Sequence, residues 1–350
     1  MNIKQVQGND LYGRIKTLLN EARKSVVKTV NTTMVLTYFE IGRIIVEDEQ
    51  QGKVRAGYAE ETLKNLSRQL TAEFGKGFSE RNIRAFRQFY LTYQDRKIWQ
   101  SVIAKSQVDN MTGNPSEPPF RLSWTHYLLL MRVGNDDERR FYEIETASQN
   151  WSVRELERQF NSALYERLSL SRNKGKVKDL SRKGHVIEVA ADVIKEPYVL
   201  EFLGLKEESA FSENDLETAI INRIEHFMLE LGKGFLFAGR QVRFTFDEEH
   251  YFVDLVFYNR LLRCFVLVDL KIGKLKHQDL GQMQMYVNYY DRFVKAADEN
   301  RTIGIILCKD RNKALVEITL PENNDQIFAG KYQLYLPSKE ELKAQIESSD

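Results

Sequence analysis

The apolar residues change their period near residue 190, and that change limits the folds open to this chain. Upstream they recur every three or four positions: Ile15, Leu18, Leu19, Ala22, Val26 and Val30, then Leu36, Tyr38, Ile41 and Ile45. This is the spacing of helices that bury one stripe. Residues 58–74 and 80–94 repeat it, separated by GKGFS at 75–79, with Ser79 placed to cap the second helix. Residues 104–121 are polar and hold three of the six prolines, so they read as a long loop. Helical spacing resumes over 123–134 and 136–148, and Ser152 opens a capping box with Glu155. The basic, Gly-containing stretch 171–185 reads as a linker, either solvated or tracking a phosphate backbone.

Downstream the pattern is mixed. Residues 213–231 form an amphipathic helix with Leu216, Ile220, Ile224, Phe227 and Leu231 on one stripe. Short β-like runs follow at 235–246, 250–258 and 262–270, then a helix at 278–293 and strands at 303–308 and 332–337. The expectation is an α+β protein: an N-terminal all-α domain over 1–185, ending in the 171–185 linker, and an α/β domain over 190–340. A length of 350 residues suits two such domains.

With 51 Lys+Arg against 50 Asp+Glu, the chain is not a globally basic polyanion binder, although local basic patches can still grip phosphate. Charges interrupt every apolar run well short of a membrane span. The N-terminal text has no apolar signal core, and the two Cys sit in strand-like text as reduced thiols, so a cytoplasmic location and no membrane partner are expected. Neither a zinc-ligand spacing nor a P-loop is present, so no nucleotide cofactor is expected.

The chemistry concentrates in 250–271. In the strand YFVDLVFY side chains alternate between faces, so Phe252, Asp254 and Val256 should share one face and Val253, Leu255 and Phe257 the other. An Asp in so apolar a strand is costly to bury without a partner. The next strand, RCFVLVDLKIG, places Asp269 and Lys271 two apart, on one face. A short turn joins the strands as an antiparallel hairpin, which brings Asp254, Asp269 and Lys271 within reach of each other. Two carboxylates and a nearby backbone carbonyl, such as that of Leu270, suit Mg²⁺ or Mn²⁺ held together with a substrate phosphate. A lysine beside them can orient or help deprotonate water and balance charge. The set is what phosphodiester hydrolysis needs. An acidic-x-Lys triplet alone is weak, expected on the order of three times by chance in a chain this long. Asp95-Arg-Lys97 and Glu341-Leu-Lys343 are further examples, without a partner strand. The bland alternative for 254–271 is an internal salt bridge.

Asp254 followed by Asp269-Leu270-Lys271 resembles the PD-(D/E)XK nuclease superfamily, with Val253 where the name has Pro and Asp269 where Glu is commoner. The resemblance is closer still to its YhcG-type (DUF1016) branch, through LTYFEIGRIIVEDE, LSRQLTAEFGKGFSERNIRAFRQFY, WSVRELERQ, KEPYVLEFLGL, FMLELGKGFLFAGRQ and GQMQMYV. It implies a restriction-endonuclease-like α/β domain with a mixed central sheet behind the helical domain. It also implies further site residues: Glu217 as a third carboxylate and metal ligand, with Glu225 a weaker substitute, and Gln282 on the helix after the Lys strand, flanked by Gln278 and Tyr286. Gln241, Lys274 and Lys276 become candidate substrate contacts. Each of these also has an ordinary reading as a helix-terminal charge or a solvated side chain.

Residues 60–93 read as helix, turn, helix, and the second helix presents Arg81, Arg84 and Arg87 among apolar positions. Arg is a side chain that reads base edges or grips phosphate, so a helix-turn-helix is one reading and an ordinary helical hairpin the other. The sequence therefore points to a metal-dependent nuclease acting on nucleic acid, foremost DNA. The rival is an inactive nucleic-acid-binding or adaptor protein that keeps the fold. A homodimer stays open.

Overall fold

In a computed structural model, residues 3–51, 56–94, 120–170, 174–205 and 211–348 are described. The chain divides into two compact units, Met1–Arg139 and Arg140–Asp350. The division falls within one helix, Asp136–Gln149.

The first unit is helical. The 3.6-residue stripe produces α1 (Ile3–Gln51), α2 (Ala56–Phe74), α3 (Glu80–Tyr93) and α4 (Trp124–Leu130). Ser79 caps α3 as expected, accepting from the Asn82 N–H. Val35, Phe39, Ile45 and Val46 of α1 are buried, whereas Ile15, Leu18, Val26 and Val30 stay exposed. An aromatic cluster joins α1, α3 and α4: Tyr38 stacks on Phe86 at 4.3 Å between centroids, and Trp124 packs on both Phe86 and Phe89. Gly42 lets α1 approach so closely that an added Cβ would strike the Phe86 carbonyl. Within the loop expected at 104–121, positions 104–119 lie outside the described residues; Phe120 is buried in the aromatic cluster.

The second unit opens with α5 (Asp136–Gln149), α6 (Val153–Asn161), α7 (Leu164–Leu170) and α8 (Lys174–Lys183). Ser152 and Glu155 form the expected capping box at α6. The stretch read as a linker is helical over Lys174–Lys183, and Leu180 and Ser181 are buried. Helix α9 (Glu213–Asn222) and α10 (Ile224–Leu231) replace the single expected helix; Arg223 leaves helical geometry at φ −126°, ψ 32°.

Six strands form one mixed sheet: β1 (Tyr198–Val199), β2 (Phe235–Phe246), β3 (Glu249–Asn259), β4 (Cys264–Lys274), β5 (Ile303–Asp310) and β6 (Ile327–Gln333), in spatial order β1-β6-β5-β4-β3-β2. The β2–β3–β4 meander is antiparallel, and β4, β5, β6 and β1 run parallel. Helix α11 (His277–Tyr289) makes the β4-to-β5 crossover that parallel pairing requires. The strand expected at 332–337 lies earlier, because β1 and β5 pair with residues up to Gln333 and none pairs beyond. Helices α12 (Lys313–Thr319) and α13 (Lys339–Ser348) complete the unit. One face of the sheet buries Leu216, Ile220, Leu255, Phe257, Val266 and Leu270; the other buries Val253, Val256, Leu267, Met283 and Ile306. Both cysteines are buried free thiols. Among the described residues no helix is long and apolar enough to cross a membrane.

A buried charge cluster ties α6 and α7 to this sheet. Glu230 of α10 is fully buried, accepts from Arg167 Nη1 and Arg158 Nη2, and also accepts the Val199 N–H of β1 at 3.0 Å. Lys195 donates to the Glu230 backbone carbonyl. Burial opposes ionisation of Glu230, but Arg167, Lys195 and Arg158 outweigh it and hold the carboxyl down, to about 2. A domain beginning at 190 would lose both arginines.

Candidate active site

The site lies where β3 and β4 part. Their ladder runs from Asn259↔Cys264 to Leu255↔Val268 and stops there, while β4 continues against β5 through Asp269↔Ile306 and Lys271↔Cys308. Asp254 and Asp269 are the first residues past the fork. The Leu270 N–H, left without a β3 carbonyl, donates to Asp254 Oδ2 at 2.8 Å. The carboxylate therefore takes a place in the ladder, which satisfies a backbone group and orients the acid. Strict alternation in β3 does not hold here. Val253 and Val256 pack into the same cluster, because the strand twists where its partner leaves it.

Asp269 is 2% exposed, and Lys271 Nζ lies 2.9 Å from its Oδ2 and 3.7 Å from Glu213 Oε2. The expected grouping of Asp254, Asp269 and Lys271 at one point of the sheet is present. Burial pushes the Asp269 carboxyl up to about 7, against the pull of Lys271 and with help from Asp254. Burial pulls Lys271 the other way from Asp269, but the Asp269 pairing prevails and raises the ammonium to about 12. At neutral pH Lys271 is thus charged, a donor rather than a base.

Glu217, expected from α9, is buried beside Asp254. Gln241 connects the two acids: its Nε2 donates to Glu217 Oε2 and, at 3.0 Å, to Asp254 Oδ1. Gln241 stands between the pairs Arg240↔Leu255 and Val242↔Val253, with φ at 45°. A left-handed non-glycine residue inside a strand is strained, and such strain collects at functional sites. Arg240 Nε lies 3.1 Å from Glu217 Oε1. Gln241, read from the sequence as a substrate contact, here positions acids. Glu213 and Arg240 were not singled out there, since their relevance depends on which helix end and which strand meet.

Gln282 of α11 donates to the Tyr286 hydroxyl, which in turn donates to the Phe252 carbonyl at 2.9 Å. This ties α11 to β3 two residues from Asp254. Gln278 precedes it by one turn, exposed. Lys274 and Lys276 are exposed past the end of the active strand, with the Lys276 N–H held by Asp279 Oδ2 at 2.8 Å. Glu225 lies on α10, beyond the break at Arg223.

The donor set fits a divalent cation. Glu217 Oε1 and Asp269 Oδ2 are buried oxygens that ion-pair with Arg240 at 3.1 Å and Lys271 at 2.9 Å without a well-aligned hydrogen bond. Burial raises the Asp269 carboxyl further than Lys271 lowers it, and the neighbouring Asp254 adds to the rise, as a carboxylate short of compensating charge would show. Among the described residues no three acidic, His or Cys side chains yet stand at metal-holding distance. Asp254 is occupied by Leu270 and Gln241, and Asp269 by Lys271, so closing around a cation requires rotation of these side chains.

In the first unit, the arginines of α3 divide. Arg81 and Arg84 are exposed, with Arg84 paired to Glu80 at 2.6 Å. Arg87 turns to α1 and pairs with Glu49 at 2.8 Å. The three do not share one exposed face.

The family model of the YhcG PDDEXK nuclease domain matches residues 191–347, and that of the DUF1016 N-terminal domain matches 14–167. The fold is that of a PD-(D/E)XK nuclease domain. The chain belongs to the YhcG family. It is 39% identical over 349 residues to "Putative nuclease YhcG" of Escherichia coli (strain K12), covering 96% of this chain and 92% of that protein. A repair endonuclease from Pyrococcus abyssi aligns over 38% of this chain and 50% of its own, with 16% identity and a TM-score of 0.25.

Proposed function

We propose that the second unit is a divalent-metal-dependent nuclease that hydrolyses phosphodiester bonds of nucleic acid, foremost DNA. The observation that carries this reading is the fork: Asp254, Asp269 and Lys271 meet where β3 leaves β4, and Glu217 is buried beside them. Asp254, Asp269 and Glu217, with the Leu270 carbonyl, would hold Mg²⁺ or Mn²⁺. A bound cation of this kind supplies charge neutralisation at the phosphate and a more acidic water. Lys271, charged at neutral pH, orients an attacking water or donates to the phosphate as negative charge builds on it. Gln241 keeps Glu217 and Asp254 together, and Gln282 acts through Tyr286 to keep α11 against β3. Lys274 and Lys276 face solvent where phosphates of the substrate would pass.

The test is cleavage of plasmid and oligonucleotide with Mg²⁺ or Mn²⁺ against EDTA. Asp254→Asn is expected to abolish cleavage while leaving nucleic-acid binding nearly intact, because binding rests on phosphate contacts elsewhere. Undiminished cleavage by the folded variant would remove the assignment. Lys271→Ala should retain Mn²⁺ binding by calorimetry yet slow single turnover by about 10² to 10⁴, the range for a group that assists proton transfer. Lost metal affinity with an unchanged turnover rate would contradict its role.

For the first unit we propose DNA contact through α3, carried by Arg81 and Arg84. Replacing both with Ala should weaken duplex binding and flatten its salt dependence by about two counterions, without altering the metal requirement. Fluorescence anisotropy across a salt series reads this. An unchanged slope would reassign α3 to protein contacts.

A further inference from the structure

Beside the fork the second unit carries a run of aromatic side chains that the acids do not use. On β2 the text is RFTF, on β3 YF, and at the end of α11 YYDRF. Phe244 is the centre. Its ring stacks on Tyr289 at 4.1 Å and on Tyr251 at 5.4 Å, and it meets the edge of Tyr286 at 5.6 Å. The run continues from Tyr289 to Phe293 at 5.2 Å. Then it stops in water: Phe246 is 53% exposed and Phe293 64%. Beside these rings lies a groove of about 350 Å³, lined by four of them together with Gly281, Asn288 and Arg292 among others. A Cβ at Gly281 would meet nothing within 4 Å, so there is open space beside it. Helix α11 widens here into a π turn over Tyr290–Val294, with the Lys295 N–H reaching the Tyr290 carbonyl at 2.9 Å. Such turns are rare and gather at functional sites.

We propose that this groove holds unpaired nucleobases of the strand being cut, so that the substrate class is nucleic acid with a single-stranded segment next to the cleaved bond. The proposal rests on the nuclease reading of the fork. Three features choose this occupant. The lining includes four rings, Phe244, Phe246, Tyr289 and Phe293, of which Phe244 and Tyr289 are already stacked, and base–aromatic stacking tolerates any base. The lining also offers the Asn288 amide and the Arg292 guanidinium, groups that bond base edges and stack on base planes. The ring cluster also adjoins the site. Phe244 lies three residues along β2 from Gln241, roughly 10 Å at strand spacing, and Tyr286 touches both Phe244 and Gln282. Bases inside a duplex present no free face, so only an unpaired one can enter. Asp247, Glu248 and Glu249 at the hairpin tip repel phosphate, so the strand's backbone runs past Arg292 and not over that tip.

The experiment compares the full chain with Phe246→Ala/Phe293→Ala, whose exposed rings are dispensable for folding. Anisotropy in EDTA measures binding of labelled oligothymidylate, oligouridylate and a blunt duplex. Loss of the two exposed rings should weaken single-strand binding by about tenfold or more and leave duplex binding unchanged. With metal added, the full chain should cut a tailed duplex faster than a blunt one, and the variant should lose that preference. Unchanged single-strand affinity in the folded variant overturns the proposal. So does a full chain that sediments as a dimer which the variant dissociates, since the groove would then be a contact between copies. Binding is read without cleavage, so a chain that cuts nothing in Mg²⁺ or Mn²⁺ counts against the nuclease reading alone.

Discussion

Asp269→Asn is expected to abolish cleavage and, in the same protein, to raise the melting temperature measured in EDTA above neutral pH. Both effects have one cause. The Asp269 carboxyl is buried where positive charge is short, and its pKa stands at about 7 against an ordinary 3.8. In the folded chain the acid binds its proton more tightly than in the unfolded chain. Its favourable contribution is therefore complete below about pH 4 and is lost as the pH rises through about 7. Above that, folding without metal has to bury a carboxylate that the site does not satisfy. Asparagine keeps the shape and removes the charge. Since a displacement of one pKa unit corresponds to about 1.4 kcal/mol, the gain at alkaline pH should be on the order of a few kcal/mol. A cation bound at the fork should give the unmodified chain a similar gain and the variant little. Equal or lower melting temperature for the variant at alkaline pH in EDTA would show that Asp269 is adequately paired by Lys271 and needs no metal. Residual cleavage at the original rate would remove it from the site.

Glu230→Ala should be the most damaging change away from the site. It leaves Arg167, fully buried, and Arg158 without the carboxylate that pairs them. Breaking a buried pair from one side costs about 3–5 kcal/mol, a large part of a typical stability of about 5–15 kcal/mol. Denaturant unfolding measures it. The double change Glu230→Leu/Arg167→Leu should be less destabilising than the two single changes summed, because it removes both charges together. Additive losses would mean that the two side chains do not interact. The unmodified chain should also lose stability in acid. The Glu230 carboxyl stands at about 2 against an ordinary 4.5, so its contribution is present above about pH 4.5 and lost as the pH falls through about 2. The same cluster defines what can fold alone. A fragment from residue 140 keeps Arg158 and Arg167; one from 190 loses both and should be less stable.

Much of the site is legible in the amino-acid sequence. Side-chain alternation and a short turn bring Asp254, Asp269 and Lys271 together, because strand period and hairpin connection are local properties of the chain. Helix starts are legible for the same reason: Ser79 and Ser152 reach backbone N–H groups three residues away. Glu217 and Gln282 follow from resemblance, and the structure places Glu217 beside Asp254 and Gln282 one hydrogen bond from Tyr286.

What the tertiary structure decided involves partners far apart in the chain or backbone states that residue type does not announce. Arg167 and Glu230 are 63 positions apart, and nothing in either segment names the other. The basic text of 174–183 gave no helical stripe strong enough to outweigh its charge, yet one buried leucine and its neighbours fold it. Gln241 joins two acids because it sits at a positive φ that its residue type disfavours, and only the surrounding sheet holds it there. Local spacing places the candidate carboxylates and lysine on their strands; long-range burial decides what supports them, because a buried charge is stable only where distant segments supply its partners.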